Sequence, residues 1–511
     1  MDIQHTMIDR YILKIEKIIR IGNYTEHSFR PMFKELIDSI SNDIEAINEP
    51  TREKYGSPDF LILKERYPLG YIETKKIGAN LEDVEESEQL LRYREGISNL
   101  ILTNYIDFRW YVNGSLRLKG TLADIDLKKN TLIKKISSKD VTQVLSNFLM
   151  VKNEISNSEE LAKQMAHYAL YIKSELQLFL KSSDRNVRFL KQQLDGFRQI
   201  LLNDLTEDEL SDMYAQTICY GLFAARLASN DEDMLTRFNA SYAIPQTNPF
   251  LRRLFNEIIG PDLNEKIGWI VDDLVKLLNA TKINKILYSM ESHPEHDPII
   301  HFYETFLSYY DQSIRSFRGV YFTPKSIVSF IVRSVNIILK EKFNLDGGLA
   351  NSSLINLSDN KQLHKVQILD PASGTGTFLN EIIQEVYKTF ENNKGLWTGY
   401  VKNHLLPRLY GFEILMAPYT VSHMKLSVTL KELGYDISSN ERLRVYLTNT
   451  LEEVHEMVEQ PFFSYWLSEE ANAAREIKRD VPVVFCNKKA QKNAIKNAEC
   501  CHPIKIYLMG F

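Results

Sequence analysis

Residues 366–383 read VQILDPASGTGTFLNEII. A strand-like run, Val366 to Leu369, meets Asp370, then a turn carrying Gly374 and Gly376, then a helix-forming stretch. Strand, glycine turn and helix in this order form the opening unit of a doubly wound sheet, whose ligands sit beyond the carboxyl ends of the strands. Glycines at such a turn let the backbone approach a ligand closely, and the helix behind it offers free amides. The spacing is not G-x-G-x-x-G, and an acid at the strand end disfavours a nearby phosphate.

A cationic or zwitterionic ligand suits that acid better, such as the amino-acid end of S-adenosylmethionine. The next strand, in LYGFEI, closes on Glu413, an acid placed to accept hydrogen bonds from ribose hydroxyls. Around this unit, from about residue 316, strands alternate with helices: VQILD, RLYGFE, RVYLTNT and VPVVF. That alternation predicts a parallel Rossmann-like sheet over 316–485. Asn344 to Lys361, polar and glycine-containing, reads as a loop.

DPASGTGTF resembles the cofactor loop of the amino-methylating DNA methyltransferases that act on adenine N6. RGVYFTPKSIVSFIV (318–332) resembles the element of that family that closes over the methionine part of the cofactor, and GFEILMAPYTVSHMKL and YLTNTLE resemble its next two motifs. The likeness runs in the right order from about 300 to 485. It implies that Tyr321 and Thr323 flank the methionine moiety, Asp370, Gly374 and Gly376 hold its amino end, Glu413 holds the ribose, and Asn449 lies near the adenine. The same family ends its fourth strand in an Asn-Pro-Pro-Tyr turn, whose acceptors orient the target amino group and whose ring stacks on a flipped base. Here VPVVF leads into Cys486-Asn487-Lys488-Lys489-Ala490, where only Asn487 fits, since lysine has neither an acceptor nor a π-face. The expectation is a frameshift or truncation near codon 485, an aberrant tail over 486–511, loss of methyl transfer, and an apolar VPVVF left as an unpaired edge.

The first 125 residues look mixed α and β. SPDFLILKERYPLGYIETKK sets Asp59 ahead of Glu73-Thr74-Lys75 on what reads as a strand pair, with Glu73 and Lys75 on one face by alternation. Two carboxylates suit Mg²⁺, which holds a scissile phosphate and activates water, while the lysine stabilises charge. Gln89 and Tyr93 follow one helical turn apart, before the strand NLILTNYIDF. This set resembles the PD-(D/E)XK nuclease core in its glutamine-tyrosine variant, over roughly residues 20–115. The resemblance implies catalytic roles for Asp59, Glu73, Lys75 and Gln89, with Asp59 and Glu73 as metal ligands. Glu26 is either a further site acid or a charge at a helix start.

Between these ends, 126–315 reads as an all-α spacer, with Thr206 to Glu209 as a capping box. His293, His296 and the trio Cys500-Cys501-His502 read as loop and tail rather than metal ligands. The expected whole is an α/β multidomain protein: nuclease, helical spacer, partial methyltransferase. It resembles the single-chain restriction-modification enzymes of type IIG style, and its methyltransferase motifs also resemble the type I single-polypeptide group. Double-stranded DNA is then the partner; a noncatalytic binding remnant or a defective fragment is the alternative. No GxxxxGK[ST] loop marks an ATP motor, and no run of about 18 apolar residues marks a membrane span. The N-terminus lacks a signal-peptide pattern. With four cysteines in 511 residues, a hydrophobic share of 44% and a charged share of 25%, the composition suits a cytoplasmic globular protein. A net charge of -5 leaves room for a local basic cleft.

Overall fold

Branched and aromatic residues crowd the early strands, and in the computed structural model of the chain they build a six-stranded sheet. The structure describes residues 5–480 and 504–507, apart from 49–56, 65–66, 127–130, 135–138, 151–154, 156, 184–186, 230–233, 245–248, 260–264, 284–285, 287–296, 311–322, 357–361, 438–440 and 451–463. It divides into two units. One comprises Met1–Leu178, Met234–Arg237 and Pro261–Ile286; the other comprises Phe179–Asp233, Phe238–Gly260 and Leu287–Phe511. The helices that follow residue 138 in sequence are thus shared between the two units.

In the first unit the strands are β1 (Ile44–Asn48), β2 (Phe60–Lys64), β3 (Tyr67–Thr74), β4 (Asn99–Thr103), β5 (Asp107–Val112) and β6 (Ser115–Thr121), in that spatial order. All neighbours run antiparallel except β3 and β4, which are parallel. A parallel pair needs a crossover, and helix Glu88–Gly96 lies within it. Helix His5–Ile21 turns Ile8, Ile12, Ile15 and Ile19 inward at helical spacing, all 4% exposed or less. They join Phe29 and Phe33 against Phe60, Ile62, Ile72 and Ile101 of the sheet. A second hairpin pairs β7 (Ala123–Asp126) with β8 (Thr131–Lys134).

The second unit holds a parallel sheet in the order β13-β12-β11-β14. Its strands are β11 (Val366–Asp370), β12 (Leu409–Glu413), β13 (Arg444–Leu447) and β14 (Ile504–Tyr507). Every residue of β11 and β12 is buried, as strands covered on both faces must be. Helix Glu207–Ala228 begins with the expected capping box: the Thr206 hydroxyl accepts from the Glu209 amide at 3.2 Å, and Glu209 accepts from the Thr206 amide at 2.9 Å. It stacks Phe223 on Phe302 of helix Pro298–Tyr310, centroids 4.6 Å apart.

Three expectations need correction, the first being that 126–315 is all-α, since β8 (Thr131–Lys134) lies within it. The stretch read as a loop after Asn344 contains β9 (Leu354–Asn356), which pairs antiparallel with β10 (Gln362–His364). The tail, expected to add nothing to the sheet, supplies β14, which runs parallel to β11 with Ile506 opposite Ile368. A buried strand needs partners for its amides and carbonyls on both sides, and IKIY has the alternation and branching to provide them. VPVVF (481–485), Cys486, Asn487, His293, His296, Cys500, Cys501, His502 and Tyr321 lie outside the described residues.

Candidate functional site

The turn after β11 is built by its neighbours as much as by its own residues. Gly374 and Gly376 take φ of 53° and 76°, the left-handed region that a side chain disfavours. At Gly376 a Cβ would stand 2.5 Å from the Ser422 hydroxyl, so this glycine is required by packing. At Gly374 it would meet no atom within 4 Å, so this position faces open space. The turn is pinned to β12: the Ser373 amide donates to the Phe412 carbonyl at 2.8 Å, and the Gly374 amide to Glu413 at 2.7 Å.

Glu413 also accepts from the amides of Ile414 (2.9 Å) and Leu415 (2.8 Å). Burial pushes its pKa up, and these amides work against the shift. Asp370 is 1% exposed; one of its oxygens accepts from the Ala372 amide at 3.3 Å, and the other is buried with no hydrogen-bond partner. Burial, joined by the Glu413 charge, pushes its pKa to about 7, against the pull of that amide. An orphaned carboxylate oxygen under an open glycine face fits the cationic end of a small ligand. Thr323 is half-buried just before helix Lys325–Glu341. That helix reaches the one behind the turn through Ser329, whose hydroxyl donates to Glu381 at 2.5 Å. Asn449 follows β13 and donates to the Leu201 carbonyl at 3.3 Å, while its neighbour Thr450 donates to the Pro371 carbonyl at 2.6 Å.

The first unit gathers a second set. Asp59 precedes β2, and register sets Phe60 opposite Ile72, which brings Asp59 beside Glu73-Thr74. One Asp59 oxygen accepts from both the amide (2.6 Å) and the hydroxyl (2.5 Å) of Thr74; the other accepts from Arg30 at 2.5 Å. Lys75 donates to one Glu73 oxygen at 2.6 Å, and the other Glu73 oxygen is buried with no partner. Burial and the Asp59 charge push the Glu73 pKa to about 8, although Lys75 pulls it down. Burial disfavours the Lys75 charge, yet Glu73 overcomes this and raises its pKa. Gln89 donates to the Tyr93 hydroxyl at 2.8 Å, and burial followed by the Glu73 charge lifts the Tyr93 pKa well above the phenol range. Asp59 and Lys75 are thus bonded to Thr74 and Glu73 at the end of β3, and Gln89 to Tyr93 on the crossover helix. Among the described residues no group of three or more His, Cys, Asp and Glu side chains is arranged for a metal, so any ion at Asp59 and Glu73 would take further ligands from elsewhere.

Arg30 and Thr74 were not singled out in the sequence. The spacing of Glu26 and Arg30, one helical turn apart in TEHSFR, is the signal that could have found the arginine.

The parallel sheet of the second unit thus carries an acid-and-glycine turn after β11 and an acid closing β12. Residues 295–495 match the family model "N-6 DNA Methylase". A comparison with curated proteins found no match. Among solved structures, the chain is similar to the "cryoEM structure DrdV-DNA complex", with 17% identity and a TM-score of 0.42 over 92% of this chain and 42% of that one. It is also similar to a nuclease-deletion mutant of the Type ISP restriction-modification enzyme LlaGI in complex with a DNA substrate mimic (18%, TM-score 0.45, 67% of this chain and 25% of that one). A third is the ATP-dependent Type ISP restriction-modification enzyme LlaBIII bound to DNA (16%, TM-score 0.45, 70% and 23%). The chain therefore spans less than half the length of each. No helix among the described residues is long and apolar enough to cross a membrane.

Proposed function

We propose that this chain is a DNA restriction-modification protein, with a Mg²⁺-dependent PD-(D/E)XK endonuclease in its first unit and an S-adenosylmethionine-binding adenine-N6 methylase domain in its second. One observation carries the nuclease half: Asp59, Glu73 and Lys75 share a buried sheet edge, with one Glu73 oxygen unpartnered. Such an oxygen is costly to bury unless a ligand uses it. Asp59 and Glu73 hold the ion, which when bound supplies a Lewis acid for the scissile phosphate and an activated water. Lys75 steadies developing negative charge, and Gln89 with Tyr93 positions the glutamate edge from the crossover helix. The substrate is double-stranded DNA.

In the second unit Asp370 receives the amino end of the cofactor, Glu413 the ribose, and Thr323 with Tyr321 the methionine part. The cofactor when bound supplies an activated methyl group. Lys488, Lys489 and Ala490 stand where base-handling residues are expected, which favours a reading in which this half binds cofactor without transferring the methyl group. Hydrogen exchange separates these possibilities from a chain that binds nothing: protection at 370–380 on adding S-adenosylmethionine supports binding, and unchanged exchange removes it. For the nuclease half, Mg²⁺-dependent nicking of plasmid DNA is expected to vanish in Asp59→Ala and in Lys75→Ala. Cleavage that survives either change, in protein that still melts cooperatively, rejects the assignment.

A further inference from the structure

The Asp59 carboxylate is paired with a cation from the chain itself. Arg30, 2% exposed at the start of helix Arg30–Asp38, donates to Asp59 at 2.5 Å. The other Asp59 oxygen is taken by Thr74, whose amide is fixed by the sheet. Asp59 and Glu73 would hold a divalent ion in competition with Arg30, which occupies one Asp59 oxygen and would repel that ion at close range. Of these donors the Thr74 amide is fixed in the strand, whereas the Arg30 guanidinium is carried on a long side chain. A second acceptor is close by: Glu26 stands 3.8 Å from the same guanidinium nitrogen, one turn earlier, with its side chain 33% exposed. Fork-shaped guanidinium groups pass readily between carboxylates in this way because they keep several donors in fixed geometry.

We propose that Arg30 is the resident counter-ion of Asp59 and exchanges it for Glu26 when a divalent cation binds. This rests on the nuclease reading above. Arg30 and Glu26 are then positioning residues: they set how tightly the site holds its ion without contacting DNA. The exchange keeps Asp59 neutralised in both states, which a buried carboxylate requires.

Mn²⁺ titrated into the full chain, with free ion read by electron paramagnetic resonance, tests this without any DNA cleavage. Glu26→Gln, a half-exposed position that leaves the core intact, removes the alternative seat and is expected to weaken Mn²⁺ binding about tenfold. Arg30→Met removes the competitor and is expected to tighten binding and to enlarge the rise in melting temperature on adding Mn²⁺. Asp59→Asn abolishes binding if the ion sits where the nuclease reading puts it. Wild-type binding that is lost in Asp59→Asn but unchanged in both Glu26→Gln and Arg30→Met overturns the exchange and leaves the nuclease reading standing. Absence of Mn²⁺ binding in the wild type overturns both. Should Arg30→Met fail to fold, Arg30→Gln takes its place: tighter Mn²⁺ binding supports the exchange, and unchanged binding overturns it.

Discussion

Gly374 and Gly376 share a backbone region but not a reason, and replacing each by alanine separates cofactor contact from fold. Both lie at positive φ, 53° and 76°, where a Cβ costs about 1–2 kcal/mol. At Gly374 nothing else is added, because the new methyl meets no atom within 4 Å. At Gly376 it lands 2.5 Å from the hydroxyl of Ser422, a fully buried side chain. Displacing Ser422 adds overpacking of about 1–3 kcal/mol. With a melting shift of roughly 2–4 °C per kcal/mol in units of this size, Gly374→Ala is expected to lower the transition by a few degrees, and Gly376→Ala by on the order of 10 °C. Cofactor affinity reverses the order of interest. The Gly374 methyl fills the open face over the turn, so S-adenosylmethionine binding by calorimetry should fall at least about tenfold, or 1.4 kcal/mol, in protein that is nearly as stable as wild type. Wild-type affinity in Gly374→Ala would show that the open face is not where the cofactor lies. A wild-type melting point in Gly376→Ala would refute the packing argument.

Asp370 makes cofactor binding pH-dependent: its pKa of about 7 leaves the empty site largely protonated below neutrality, while a cationic ligand needs the carboxylate. Apparent affinity should therefore weaken about tenfold per unit as pH falls below 7 and level off above it; a flat profile from pH 5 to 8 would rule this out. The same shift has a stability sign. The folded state keeps a proton that the unfolded chain sheds above about 4, so stability is lost as pH rises from about 4 to 7, and Asp370→Asn should flatten that loss in urea titrations. Lys425, 2% exposed, is paired with Asp297 at 2.9 Å, and burial lowers its pKa against that partner. Lys425→Met should cost about 1–3 kcal/mol, and the double change with Asp297→Asn should recover part of it; additivity of the two would deny the pairing. Arg408, fully buried, donates to the carbonyls of His404 at 2.8 Å and Val366 at 3.5 Å and to the Tyr400 hydroxyl at 2.8 Å. Lysine cannot span these acceptors, so Arg408→Lys should lower the melting point by several degrees.

What the sequence disclosed follows the range of the interaction. Glu73 and Lys75 were legible because strand alternation alone puts them on one face, and their 2.6 Å contact is the result. Gln89 with Tyr93, and Thr206 with Glu209, were legible because helical spacing fixes them. The glycine turn could be placed, but not the division of labour within it, since Gly376 is set by Ser422 of a later helix. Arg30 meets Asp59 from a different element, and no local period encodes that contact. The tail was misjudged for the same reason. Four residues carry a strand pattern too short to stand out, and only the vacant side of β11 gives them a partner.

The two candidate sites carry one physical signature with different surroundings, and the difference argues for different ligands. Glu73 and Asp370 each bury a carboxylate with one oxygen unpartnered, and burial raises both pKa values. Such a group is costly to bury, and a bound partner offsets that cost. Around Glu73 stand Asp59, Lys75 and Arg30: a second carboxylate to share a hard cation, and basic groups that tolerate phosphate beside it. Beside Asp370 stands the Glu413 carboxylate, which favours a positive charge and discourages phosphate. The proposed metal-and-phosphate chemistry of the first unit and the proposed zwitterionic cofactor of the second follow from that difference. Exchanging the ligands between sites, Mn²⁺ against the Asp370 turn and S-adenosylmethionine against the Asp59 edge, should show binding of neither.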